Sequence, residues 1–274
     1  MVGLAVLFGC VVGFALGLTG GGGGVLAVPL LVYGLGLPPR EAVGVSLAAV
    51  GGTALFGVLP RWRKGLVEVR TGLLFAVAGM IGAPIGSQLA LRIPETTLLL
   101  LFGVLMLVVA WRMWAKSRNP AIPSGTCVTE THADTDRSAC QRDSDGQLRM
   151  TSRCARLLMF VGLLTGILSG LFGVGGGFVI VPALVLFSGM AIHNAVGTSL
   201  LAIFLISVSG VASHVLAGNP MSLPMTLLFL VGGAAGMFLG GLLAKRLSGP
   251  TLQQIFAIAV VLVAIFVISK STLF

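Results

Sequence analysis

Two glycine-rich passages, set inside apolar sequence and repeated at a fixed offset, constrain this chain more than any other feature. Residues 17–32 read GLTGGGGGVLAVPLLV and residues 170–185 read GLFGVGGGFVIVPALV. At an offset of 153 with no gap, 17 of the 35 positions from Gly13 to Leu47 are identical to those from Gly166 to Leu200. The shared positions include Gly20/Gly173, Gly22/Gly175, Gly23/Gly176, Gly24/Gly177, Pro29/Pro182, Gly44/Gly197 and Ser46/Ser199. A glycine run interrupts a helix within the bilayer, and paired interruptions in two halves of a chain point to a carrier's binding site.

Composition restricts the fold class in the same direction. Apolar residues make up 56% of the chain and charged residues 9%, far below the roughly one quarter that coats a soluble globule. The apolar stretches approach the ~20 residues that cross the hydrocarbon core. The expected fold is therefore an all-α membrane protein, a polytopic bundle with about 8–10 membrane segments. A net charge of +9 would suit nucleic acid if it were clustered on one folded face, but its placement argues for membrane topology and against a nucleic-acid partner. The first apolar stretch lacks a basic leader and runs straight into the glycine motif, so no cleavable signal peptide is expected.

Five apolar segments can be marked in each half, at about 2–18, 25–37, 42–59, 71–91 and 97–111, then 157–172, 178–192, 195–216, 224–244 and 252–269. This divides the chain into a first transmembrane repeat (1–115), a polar linker (116–153) and a second repeat (154–274). The linker is charged, contains Pro120, Pro123 and Gly125, and has no apolar periodicity, which predicts a flexible connection. Fourteen of the 17 Lys and Arg residues fall in 60–70, 112–156 and 245–250. If segments 3, 4, 5, 8, 9 and 10 each cross once, these regions share one side, and only Arg40, Arg92 and Lys270 remain on the other. The positive-inside rule then places the linker in the cytoplasm of a cell carrying this protein in its inner membrane, with both termini outside. Trp62, Trp111 and Trp114 flank the basic loops, at headgroup depth.

An odd number of segments per half predicts inverted repeats. The second segment of each half is too short to span alone, so segments 1–2 and 6–7 are expected to be re-entrant hairpins or broken crossings. Ala78, Gly82, Gly86 and Ala90 recur every four residues, and Gly232, Gly236, Gly240 and Ala244 repeat them at an offset of 154. Such stripes predict close helix–helix contact.

Consecutive glycines leave backbone polar groups uncovered, which a bilayer tolerates only where protein buries them or water reaches them. A helix beginning after Gly24 or Gly177 presents N–H groups and the positive end of its dipole, a combination that favours an anion. The competing expectation is that the glycines only permit close crossing, with Pro29 and Pro182 as kinks. A nucleotide loop is excluded, because no strand precedes the glycines and no Lys-Ser/Thr pair follows them. Candidate substrate contacts are therefore Gly20, Gly22, Gly23, Gly24, Gly173, Gly175, Gly176 and Gly177, with Ser46, Thr198 and Ser199 as hydroxyl donors. The alternative for the hydroxyls is a bond to a carbonyl one turn earlier. Gln88, Thr53, Ser207, Ser209 and Ser213 are weaker candidates.

Glu41 and His193 open segments 3 and 8 and are candidates for coupling to a proton or another ion such as sodium; for Glu41, pairing with the helix dipole is the alternative. His214 answers by repeat to Arg61, and an interfacial position is expected. No apolar span is expected to bury a Lys or Arg. Cys127, Cys140 and Cys154 have spacings unlike a zinc site and are expected to stay reduced in a cytoplasmic loop; Cys10 reads as a small hydrophobe. No catalytic constellation, metal site or cofactor is expected.

The pattern Gly-x-x-Gly-x-Gly-Gly-Gly, then Pro29 or Pro182, then Ala-Val-Gly-x-Ser at 42–46 or 195–199, resembles the sulfite exporter TauE/SafE family. The resemblance spans both halves outside 116–153. It implies a polytopic carrier of a small sulfur-containing anion such as sulfite or an organosulfonate. The halves differ where Glu41 answers to Asn194, Val45 to Thr198 and Arg40 to His193. The function expected is secondary transport of such an anion by alternating access. The alternatives are an ion-conducting channel and a membrane scaffold that moves nothing.

Overall fold

Long apolar sequence folds as helix when water is absent, because a helix satisfies its own backbone. The computed structural model describes residues 2–94, 97, 98, 100–105, 107, 108, 111, 141, 142, 148, 149, 152–173, 177, 180, 181, 184, 190, 192–218, 221–243 and 261. Helices α1 (Val2–Thr19), α2 (Gly24–Pro29), α3 (Pro39–Arg63), α4 (Val69–Arg92), α5 (Ser152–Phe172), α6 (Ile192–Leu216) and α7 (Leu223–Leu243) make up most of it. Six of them are long and apolar enough to cross a membrane, and a shorter apolar helix covers Gly24–Gly34. The chain is a polytopic helical membrane protein. Segments marked at 178–192 and 252–269 lie almost wholly outside the described residues, and 97–111 is described in part as helix.

Helix ends follow local chemistry. α3 opens with Pro39 in its first turn, carries Glu41 there, and closes on Arg61 and Arg63, so charge complements the dipole at both ends. α1 and α5 stop in the same way. Gly20 and Gly173 adopt φ of 75° and 69°, and their amides donate to Leu16 O and Ser169 O at 2.8 Å each. A left-handed residue at this position reverses the chain at little cost only if it is glycine. After the first turn, α2 passes at Pro29 into a π-helix, Leu30–Gly34. Proline lacks the N–H that an α-turn requires, and the wider turn accommodates the break.

Packing between the halves is reciprocal. α1 lies along α7, α5 lies along α4, and α3 packs against α6. The small-residue stripes lie in these contacts: a methyl at Gly82 or Gly86 would press on the α5 backbone at Leu163 and Ile167, and one at Gly232, Gly236 or Gly240 on the α1 backbone at Val6, Cys10 and Phe14. Their partner stripes are glycines too. Gly9, Gly13 and Gly17 of α1 face the backbone of Phe229, Gly233 and Met237, while Gly162, Gly166 and Gly170 of α5 face Phe75, Gly79 and Ala83. Such backbone-to-backbone approach is how helices associate in lipid, where no hydrophobic effect drives them together. The opposite face of α4 exposes Leu73, Val77, Ile81, Ile85 and Leu89, an apolar stripe that suits lipid and not water.

Two expectations need correction. The Arg-bearing stretch expected as a loop from residue 60 is helical to Arg63, and Arg61 folds back, half-buried, onto the bundle. The cysteine expectation fails at Cys154, which is buried and disulfide-bonded, while Cys10 is a free thiol. A short antiparallel ladder, β1 (Gln141–Arg142) with β2 (Leu148–Arg149), lies within the linker.

Candidate functional site

The two glycine passages meet. A methyl built on Gly21 would strike Gly177 O, and one built on Gly177 would strike Gly21 and Ile203. α3 and α6 run antiparallel beside this junction: Val43 and Ser46 near the start of α3 lie at Gly173, and His214 near the end of α6 lies at Gly44, while Leu200 near the start of α6 lies at Gly57. The Gly20 turn therefore sits toward one end of the α3/α6 pair and the Gly173 turn toward the other. Their following residues converge between the two ends.

Each turn is held by the other half of the chain. Ser46 Oγ donates to Gly173 O at 2.6 Å, and Ser199 Oγ donates to Gly20 O at 2.7 Å while also approaching Val196 O at 2.9 Å. Both serines are fully buried. Carbonyls stripped of helix partners by the left-handed glycines regain a donor in this way, which a membrane interior demands. The neighbouring valines complete the cradle, since a methyl at Gly20 would meet Val196 and one at Gly173 would meet Val43. In the conformation described, these hydroxyls hold backbone across the halves.

Within the first turn, Thr19 Oγ1 donates to Ala15 O and accepts from the Gly22 amide at 2.9 Å. The Val25 and Leu26 amides donate to Gly22 O and Gly23 O. Among the described residues, the amides of Gly21, Gly23 and Gly24 make no hydrogen bond. They are the backbone donors an anion would use. Gly23 has a packing duty besides, because a methyl there would meet Val12 O and the Leu16 amide. Gly175 and Gly176 lie outside the described residues.

The remaining candidates are dispersed. Thr198 is buried but turned from the junction, its Oγ1 accepting from the Glu68 amide at 3.0 Å ahead of α4. Glu41, half-buried, and His193, exposed, occupy the first turns of α3 and α6 and so lie at opposite ends of the antiparallel pair. Gln88 is exposed on α4. Thr53 returns a hydrogen bond to Ala49 O, and Ser209 donates to Met80 O.

Three side chains carry more than sequence reasoning gave them. Ser207 is buried against Gly51, one turn along α6 from Ile203 at the glycine junction, and its hydroxyl has no partner among the described residues. An unmet hydroxyl in a dry interior costs free energy and marks where water or a ligand belongs. Arg61, on the last turn of α3, donates to Gly57 O at 3.1 Å and Gly17 O at 3.2 Å. His214, its repeat equivalent, is buried against Gly44 and not interfacial. The signal for the last two was their shared repeat position, a basic group three residues' reach from each turn; depth was not encoded in it.

A profile of the family described as "Sulfite exporter TauE/SafE" matches residues 5–267. A probable membrane transporter protein of Xylella fastidiosa is 39% identical over 269 residues, covering 96% of this chain and 93% of its own. A probable membrane transporter protein of Bacillus subtilis is 27% identical, covering 95% and 94%. One from Methanocaldococcus jannaschii is also 27% identical, covering 79% and 73%. No solved structure matches the chain.

Proposed function

The chain belongs to the sulfite exporter TauE/SafE family, and from that premise we propose that it is a secondary carrier of a small sulfur-containing oxyanion, sulfite or an organosulfonate, working by alternating access. That it is a membrane transporter and not an enzyme accords with the family and with its named relatives. The observation that carries the finer reading is the convergence of the two glycine passages. Gly21 abuts Gly177 between the two ends of the α3/α6 pair, and unoccupied amides of Gly21, Gly23 and Gly24 flank the contact. Amides fixed by the fold recognise an oxyanion without a buried counter-charge, and Ser207 supplies a hydroxyl one turn away.

The reciprocal contacts support treating the halves as inverted repeats. Each half contributes a turn and the serine that grips the opposite turn, so rocking of one half against the other strains both grips together. Glu41 and His193, at opposite ends of the pair, are the proposed positions for a coupling proton. Orientation is part of the same proposal. The charge split supports a cytoplasmic linker, whereas the Cys154 disulfide favours an oxidising compartment. A cysteine at Ser144, in a background lacking the native cysteines, is expected to react only with reagent added to the cytoplasmic face; reaction from outside inverts the orientation.

The functional test is flux in proteoliposomes with sulfite, sulfate, thiosulfate and a short organosulfonate. Saturable uptake of sulfite or the sulfonate, weakened by Ser207→Ala, which removes a hydroxyl and adds no volume, is the expected result. Conductance without saturation would make the protein a channel, and no flux of any of the four anions would end the carrier reading.

A further inference from the structure

One buried strip of α5 faces the bundle interior. Leu158, Thr165, Ser169 and Phe172 lie on it, all buried, while Phe160 and Leu164 on the other side of the helix are exposed. α1 carries the repeat-equivalent strip, with Ala5, Val12 and Leu16 buried in the same way. Thr165 and Ser169 thus stand where α1 has Val12 and Leu16. We propose that Ser169 is a second hydroxyl contact for the transported anion, so that the side-chain contacts come from α5 and α6 of the second half while α1 supplies only apolar backing. The inference rests on the carrier reading and names a residue that reading does not use.

Position supports it first. Ser169 lies in the last turn of α5, and its carbonyl accepts from the Gly173 amide at 2.8 Å. It therefore stands at the start of the second glycine passage. Ser207 stands near the far end of that passage, one turn along α6 from Ile203, whose side chain a methyl on Gly177 would strike. In the first half the corresponding place is closed: a methyl on Gly23 would meet Val12 O and the Leu16 amide, and the Leu16 side chain is fully buried. The left-handed glycine and its cap are the same in both halves. A serine in place of that leucine fills less space beside the turn and ends in a donor.

Hydrogen bonding supports it second. Thr165 commits its hydroxyl to Gly162 O at 2.8 Å, and Ser46 and Ser199 commit theirs to the two turns. The hydroxyls of Ser169 and Ser207 are buried and have no partner among the described residues. A dry, unmet O–H group is costly, and an acceptor brought to it removes that cost. An oxyanion has acceptor oxygens on several sides, so it can take one bond from a hydroxyl and others from the glycine amides.

The test compares Ser169→Ala with the parent in two measurements, melting temperature in detergent and saturable flux in proteoliposomes. The anions are sulfite and methanesulfonate, the second because it leaves the disulfide at Cys154 intact. Without anion, Ser169→Ala is expected to melt at or above the parental temperature, because a hydroxyl with no partner contributes no bond to the fold. Anion should raise the melting temperature of the parent and raise that of Ser169→Ala less. The variant's KM should rise about tenfold or more, with the maximal rate changed far less. Ser169→Ala/Ser207→Ala should lose the stabilisation by anion. A lower melting temperature of Ser169→Ala without anion would make the hydroxyl a structural group and overturn the proposal. A parental KM with full stabilisation by anion would leave Ser169 to a bound water and overturn it too, while saturable flux in that same experiment keeps the carrier reading. A parent that neither moves nor is stabilised by either anion sinks the carrier reading itself.

Discussion

At the first turn Gly20 is gripped by Ser199, and the basic group beside it is Arg61, its guanidinium spread over two backbone carbonyls. At the second turn Gly173 is gripped by Ser46, and the corresponding group is a buried imidazole, His214, bordering a cleft. Backbone geometry is shared: φ, cap and valine wall agree between the two. Side-chain chemistry is not. The second half also replaces apolar groups with hydroxyls, with Thr165 where the first half has Val12, Ser169 where it has Leu16 and Ser207 where it has Ala54. The two passages keep what glycine packing requires and differ in the side chains around it, giving two similar turns in unlike surroundings.

The largest effect should come from attacking the shared part. Gly13→Val and Gly166→Val each push a side chain into backbone of the opposite half, Gly233 in one case and Gly79 in the other. Backbone cannot step aside as a side chain can, so each should cost at least about 3 kcal/mol and remove most folded protein from size-exclusion chromatography. Loss of one variant and survival of the other would break the equivalence of the α1/α7 and α4/α5 contacts.

Smaller losses are expected at the grips. Ser46→Ala and Ser199→Ala each strand a buried carbonyl at a turn, a penalty of about 1–3 kcal/mol, visible as a lower melting temperature in detergent. Ser199 shares its hydroxyl with Val196 O, so Ser46→Ala should be the costlier of the two. Unchanged stability in both variants would show that the turns need no grip.

The smallest effect belongs to Arg61, which is only half-buried. Arg61→Gln loses the charged donors to Gly17 O and Gly57 O, and with solvent screening the cost should be about 1 kcal/mol, read as a shift in denaturation midpoint. An unchanged midpoint in Arg61→Gln would show that the first turn needs no charged anchor.

How far the sequence reached can be traced residue by residue. Hydropathy placed α3, α4, α6 and α7 within a few residues, because in lipid nothing but helix satisfies an apolar backbone. The four-residue stripes on α4 and α7 announced contact, since small side chains at that spacing have one evident use. The glycine turns were marked by their repeat. What faced them was not: the stripes on α1 and α5 are interrupted by larger residues elsewhere on those helices, and a contact partner is a property of two segments at once. The hydroxyls of Ser46 and Ser199 were recognised as important, yet a serine's sequence neighbours do not say whether its proton goes to a ligand or to a carbonyl 127 or 179 residues away.

The sequence by itself determined a helical membrane protein made of two related halves, the positions of its broken helices and its family. These follow from local rules of hydropathy, turn chemistry and repetition, which act over a few residues. Only the tertiary structure decided that the two glycine passages touch, that each turn is held by the other half, and that Arg61 and His214 occupy matching places with different burial. Those outcomes depend on which surfaces meet when antiparallel helices pack, and packing couples residues that the chain keeps far apart.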